Sequence, residues 1–162
     1  MSSTACEQQF TYKAETLSEC REELDRLFPL HYEEIALFRD RIRLEPDWPK
    51  YEQAENAGIL KIFTVRAGGE LVGYYVGSLI THPHYASHRM LFTDIFFLRS
   101  DYRRGLAGLD FLRAIREEAK RLGAEYLHIG TKLHHDLGAL IERLGGQETD
   151  RLFIVPLLKT PL

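Results

Sequence analysis

"RMLFTDIFFLRSDYRRGLAGLDFLRAIREEAKRLG" runs from Arg89 to Gly123 and joins three readable pieces. Its first part is a nearly continuous apolar run, the pattern of a central strand buried on both faces. Its last part places Leu109, Leu112, Ile115, Ala119 and Leu122 at helical spacing, with Arg113, Arg116, Glu117, Lys120 and Arg121 turned elsewhere. Gly123 stands where a helix ends on a left-handed residue. Between them, Gly105-Leu106-Ala107-Gly108 opens directly onto the helix and follows Arg103 and Arg104. A helix start carries unpaired N–H groups and the positive end of the helix dipole. Small residues there let an anion approach the backbone, so the geometry asks for a phosphate or pyrophosphate. A tight turn beside solvated arginines is the plainer alternative. The stretch is no P-loop, since no Gly-Lys-Ser/Thr follows, and its glycine spacing does not fit the dinucleotide fingerprint.

Upstream, "ILKIFTVRA", "GGE" and "LVGYYVGSLITH" read as two strands joined by a Gly-Gly turn. Before them, "QQFTYKAET" reads as a first strand. Ser18 is expected to cap a helix whose apolar face is Leu24, Leu27 and Phe28, broken or bent by Pro29. A second helix is expected in "HYEEIALFRD", followed by a polar, proline-containing stretch, "RLEPDWPKYEQAENAG". Downstream come a strand "AEYLHIGT", a short helix "DLGALIERLG" and a last strand "RLFIVPLL". The order β-α-α-β-β-β-α-β-α-β describes a mixed α/β layer structure. Its first half is mainly antiparallel and its second half contains a β-α-β crossover.

The 162 residues suit one domain, residues 1–162, with 44% hydrophobic and 28% charged residues. A formal net charge of −3 makes no electrostatic case for nucleic acid. The start "MSSTACEQQF" lacks a signal-peptide pattern, and no apolar run reaches the length of a membrane span. The two cysteines, Cys6 and Cys20, have no metal-ligand spacing, which fits a reduced, cytoplasmic protein.

"FTDIFFLRSDYRRGLAGLDFLRAIREEAKRLGAEYLHI" resembles the acyl-CoA-binding core of the GNAT family of N-acetyltransferases. That family has an apolar strand, a short bend, then Arg/Gln-x-x-Gly-x-Gly/Ala opening a long helix. "ALIERLGG" is similar to its final helix, and the element order matches across nearly the whole chain. "HYEEIALFRDRIRLEPDWPKYEQ" additionally resembles acetyltransferases encoded by bacteriophages. The resemblance implies acetyl-CoA as co-substrate and a primary amine, on a small molecule or a protein, as acceptor. It implies that Arg103 takes the leading Arg/Gln position, and that Arg104, Gly105, Leu106, Ala107 and Gly108 hold the CoA pyrophosphate by backbone amides. Phe96, Phe97 and Leu98 would run beside the pantetheine arm, on a strand that bulges and splays from its neighbour. Read forward from Arg103, the pattern's first glycine falls at Leu106, with Gly105 one residue early. Gly146 replaces an aromatic residue, His134 an asparagine, and Ile141 the tyrosine that commonly protonates the departing thiolate. A homodimer is left open, since family members often pair through strand edges or the C-terminal region.

Acetylation of an amine needs a base, because an ammonium ordinarily ionises near pH 10. It also needs a donor for the thioester carbonyl, here a backbone N–H of the Asp94–Leu98 strand. Asp94 is the first candidate base, the only carboxylate in "RMLFTDIFFLR". Pairing with Arg89, or capping a backbone amide, is the structural alternative. His134 is a candidate acid in place of the tyrosine, with His135 beside it, and Tyr74, Tyr75, Tyr85 and Tyr126 are others. His82 and His84 flank Pro83 in a loop and lack the companions of a metal site; no metal is expected. Glu33, Glu34 and Asp47, near Tyr32, Trp48 and Tyr51, are candidate contacts for a cationic acceptor, or a merely solvated face. A CoA-binding module acting through protein contact is the competing reading, favoured by Ile141 and Gly146.

Overall fold

The computed structural model describes residues 9–155 and 157. Five strands form one sheet in sequence order: β1 (Phe10–Glu15), β2 (Leu60–Ala67), β3 (Glu70–Thr81), β4 (Arg89–Leu98) and β5 (Tyr126–His128). The first four pair antiparallel, and β4 pairs with β5 in parallel after the crossover helix α3 (Ala107–Arg121). The helices α1 (Leu17–Ile35) and α2 (Trp48–Asn56) cover one face, while α3 and α4 (Gly138–Arg143) cover the other. β3 is apolar at almost every position because both of its faces are covered: Leu71, Tyr74 and Val76 meet α1, whereas Val72, Tyr75 and Leu79 join the core that contains α3.

Thr16, not Ser18, caps α1: its N–H and its hydroxyl both donate to Glu19 Oε2, each at 2.7 Å. Pro29 does not interrupt α1, which runs on to Ile35. The buried Leu24, Leu27 and Phe28 hold the first part, and His31, stacked on Phe97, anchors the turn beyond the proline. The helix expected in "HYEEIALFRD" is therefore the end of α1 rather than a separate element. The second helix lies instead in the polar stretch, where Asp47 accepts the Lys50 N–H and Pro49 occupies the first turn.

Among the described residues the expected last strand is not formed. Arg151–Val155 is irregular, with Leu152 93% exposed, and Leu157 is also exposed; Pro156 and Leu158 lie outside the described residues. β-branched and aromatic residues favour a strand only when a neighbouring edge supplies the ladder, and among the described residues this segment meets none. Cys6 also lies outside the described residues.

One ionic cluster ties the sheet to α1. Arg66 donates to Glu15 Oε1 at 3.0 Å and to Glu23 Oε2 at 2.7 Å, with the Arg66 and Glu15 side chains 13% and 10% exposed. Arg66→Met leaves two acidic groups without their cation and is expected to cost about 3 kcal/mol, read as a lower urea midpoint.

Candidate active site

β4 carries an extra residue. Val76 pairs with Ile95 and Gly77 with Thr93, which leaves Asp94 as a bulge. Gly77 is required opposite it: a Cβ there would lie 2.7 Å from the Phe92 carbonyl oxygen. On its other side β4 pairs with β5 only at Met90, Leu91 and Phe92. From Thr93 to Leu98 that edge has no strand partner among the described residues, so the two parallel strands part beside the bulge.

Two cavities open on this one strand. Phe92, Thr93 and Asp94 border a cavity of about 420 Å3 closed by Lys50, Tyr51 and Ala54 of α2. Phe96, Phe97 and Leu98 border another of about 380 Å3, closed by Arg103, Gly105, Gly108 and the 135–140 segment. Asp94 is exposed to the solvent of the first cavity and has no ion-pair partner among the described residues. The protein mass around the concave wall still strips away much of its water, pushing its carboxyl above the usual range, while Lys132 pulls the other way. Arg89 does not pair with it; that guanidinium donates to the Leu122 carbonyl at 2.9 Å.

The start of α3 faces the second cavity. Gly105 has φ +58, a left-handed conformation that favours glycine, and Leu106 caps the helix with Ala107 buried as its first residue. Counted back from the helix, Gly105 and Ala107 meet the Gly-x-Ala part of the family pattern, and Tyr102 falls at its leading Arg/Gln position. The bend before the loop, Ser100–Tyr102, forms a 3-10 turn. The N–H groups of Leu106, Gly108 and Leu109 have no acceptor among the described residues. Two glycines at the wall and this row of donors are features that could hold an anion.

The two arginines differ. Arg103 is engaged: its Nε donates to the Leu98 carbonyl at 2.6 Å, its Nη2 donates to Glu34 Oε2 at 2.8 Å, and its guanidinium lies 5.7 Å from the Phe97 ring centre. Arg104 is exposed and has no partner among the described residues, so it is the freer cation for a phosphate. Arg104→Ala is expected to weaken acetyl-CoA binding about fivefold, with the difference shrinking at high salt in calorimetric titrations.

Several expected site residues sit elsewhere. Glu34 is drawn toward Arg103 and His135 (3.4 Å), away from the 420 Å3 cavity, and Arg103 holds its carboxyl below the usual range. Glu33 pairs with Arg39 at 2.7 Å, and Asp47 caps α2 and pairs with Lys50 at 2.7 Å. None of the three lines the 420 Å3 cavity. His134 lines neither cavity; its Nε2 lies 3.2 Å from the Ile35 carbonyl oxygen. His135 borders the second cavity instead. His82 and His84 stack on each other near Tyr85, away from both. Tyr74 and Tyr75 are buried, and burial drives both hydroxyls well above their ordinary pKa. Cys20 is buried in the core, its thiol pushed up to about 12, which removes it as a nucleophile.

Lys50 and His31 are the residues that sequence reading missed. Asp47-Trp48-Pro49 is a helix-start signal, and helical spacing from it would have set Lys50 and Ala54 on one face. His31 has no such signal: its Nδ1 lies 2.9 Å from the Tyr74 hydroxyl, and its ring stacks on Phe97, a lining residue of the second cavity. Burial lowers its pKa to about 4. In the unfolded chain the imidazole takes a proton near pH 6.5. Its contribution to stability is therefore fully present above about pH 6.5 and is lost as pH falls toward about 4. His31→Gln is expected to flatten that segment of the stability profile, measured as urea midpoints between pH 4 and pH 7.

No family model matches the chain, and no curated protein matches it by sequence. Solved structures do match it. An aminoglycoside acetyltransferase from an uncultured soil metagenomic sample superposes with a TM-score of 0.72 at 14% identity, covering 93% of this chain and 99% of that one. This is the GNAT acetyltransferase fold. A ribosomal-protein-alanine N-acetyltransferase from Brucella melitensis shares it (TM-score 0.67, 15% identity, 92% of this chain and 99% of that one). So does a predicted acetyltransferase from Clostridium acetobutylicum, in a structure with acetyl-CoA (TM-score 0.66, 15% identity, 92% and 97%). The bacteriophage resemblance finds no support among these neighbours. Among the described residues no helix is long and apolar enough to cross a membrane, and no group of three or more His, Cys, Asp or Glu is placed to hold a metal.

Proposed function

We propose that the protein is an acetyl-CoA-dependent N-acetyltransferase that acts on a primary amine by direct transfer. One observation carries the reading: Phe92–Asp94, which ends on the bulge, and Phe96–Leu98, just beyond it, border two different cavities on one strand. That arrangement suits two substrates meeting at one strand. Acetyl-CoA is present in the Clostridium acetobutylicum neighbour, which supports acetyl-CoA as the co-substrate, and the glycine-lined cavity is the one we assign to it. The N–H groups of Leu106, Gly108 and Leu109, with Arg104, would hold its pyrophosphate. When bound, it supplies an acetyl group activated as a thioester.

Asp94 is the proposed base. It takes the proton of the neutral amine as the new N–C bond forms and the C–S bond breaks, and passes it by way of water to the released thiolate, which restores the carboxylate. Its raised pKa moves it toward the strength a base at neutral pH requires. An unpaired N–H on the free edge of β4 would stabilise the charge growing on the carbonyl oxygen. Calorimetric titration with acetyl-CoA, followed by a free-thiol assay against a panel of amines, tests the reading. Binding with thiol release supports it, and absence of binding removes it. The competing reading, a CoA-binding module, draws on Ile141 in the tyrosine position; it predicts binding without thiol release for every amine.

A further inference from the structure

The cavity beside Asp94 has an uneven charge pattern. Asp94 is its one lining carboxylate, and Lys50, its one lining ammonium, stands on the facing helix. Lys50 is 79% exposed, and its present partner, Asp47, belongs to the cap of the same helix. One cation on α2 and one anion on β4 therefore share the lining of this cavity. Leu60, Val76 and Phe92 give the same lining its apolar part, beside Tyr51, Ser78 and Thr93.

An acceptor with several ammonium groups would meet Asp94 with one and like charge with the rest. An acceptor with one ammonium and one anionic group would satisfy both ends of the cavity. We propose that the acceptor is a small zwitterionic primary amine of amino-acid type, its ammonium directed to Asp94, its carboxylate to Lys50 and its apolar side chain to Phe92 and Leu60. The inference rests on the acetyltransferase reading and narrows it to one substrate class. It departs from the aminoglycoside named for the soil-metagenome neighbour.

The test compares phenylalanine, phenethylamine and sisomicin on the full-length protein saturated with CoA, by calorimetric binding, and in acetyl-CoA thiol release. Phenylalanine is expected to exceed phenethylamine about tenfold, one well-placed ion pair, and sisomicin by more. Lys50→Glu is expected to reverse the order of phenylalanine and phenethylamine, and Lys50→Ala to level it. Tighter binding of phenethylamine or sisomicin, no binding of phenylalanine, or an unchanged order in Lys50→Glu overturns the proposal. Binding in the expected order with no thiol release leaves the substrate class standing and overturns the acetyltransferase reading alone.

Discussion

Asp94→Asn is expected to lower the rate of acetyl transfer at pH 7 by about a hundredfold or more while acetyl-CoA affinity stays unchanged. The substitution keeps the size of the side chain and removes only its ability to take a proton. The bulge that presents residue 94 depends on backbone pairing and on Gly77, so it survives the change. The wild-type rate should fall as pH drops through the raised pKa of Asp94, and that limb should vanish in the variant. Stability should move the opposite way. An unfolded aspartate ionises near pH 3.9, and the folded carboxyl holds its proton to higher pH. Between those two values the native state binds more protons than the unfolded chain, so wild-type stability falls as pH rises through the window. Asp94→Asn should therefore unfold at a higher urea concentration than wild type at pH 7, with the difference closing near pH 3. A variant that loses activity and stability together would mark Asp94 as a structural residue.

Gly108→Glu should abolish acetyl-CoA binding, with affinity falling more than about a hundredfold. Gly108 is the second residue of α3 and lines the 380 Å3 cavity beside the free N–H groups. A glutamate there fills the space and sets a negative charge where a pyrophosphate would lie. Gly108→Ala is the control, since a Cβ at this position meets only Leu140 Cδ1, at an ordinary 3.5 Å. Its affinity should stay close to wild type, which separates the effect of charge and bulk from damage to the helix. If calorimetry finds acetyl-CoA bound equally well by the glutamate variant, the cofactor does not lie at the start of α3.

Much of this architecture was legible in order. The Gly-Gly hairpin, the apolar β4 and the amphipathic α3 with its glycine terminator each carry a local signal, because turn chemistry and periodicity act within a few residues. The α1–α2 region misled for a related reason. Pro29 is a local breaker, and the anchoring of the turn beyond it by His31 on Phe97 is a contact between residues far apart in the chain. The last strand failed because an apolar segment has no ladder until some edge accepts it. Of the expected acceptor contacts, Glu33, Glu34 and Asp47 were composition without direction. Ion pairs with Arg39, Arg103 and Lys50 account for them.

By itself the sequence determined the mixed α/β order, the crossover onto β4, and a glycine-rich helix start suited to an anion. Those features follow from side-chain periodicity and backbone freedom, which are properties of neighbouring residues. Only the tertiary structure decided that Asp94 is the bulged residue, that Arg103 is engaged while Arg104 is free, and that Lys50 faces Asp94 across a cavity. Each of these depends on register between strands or on the approach of separate helices, and neither is written in the local pattern of any one segment.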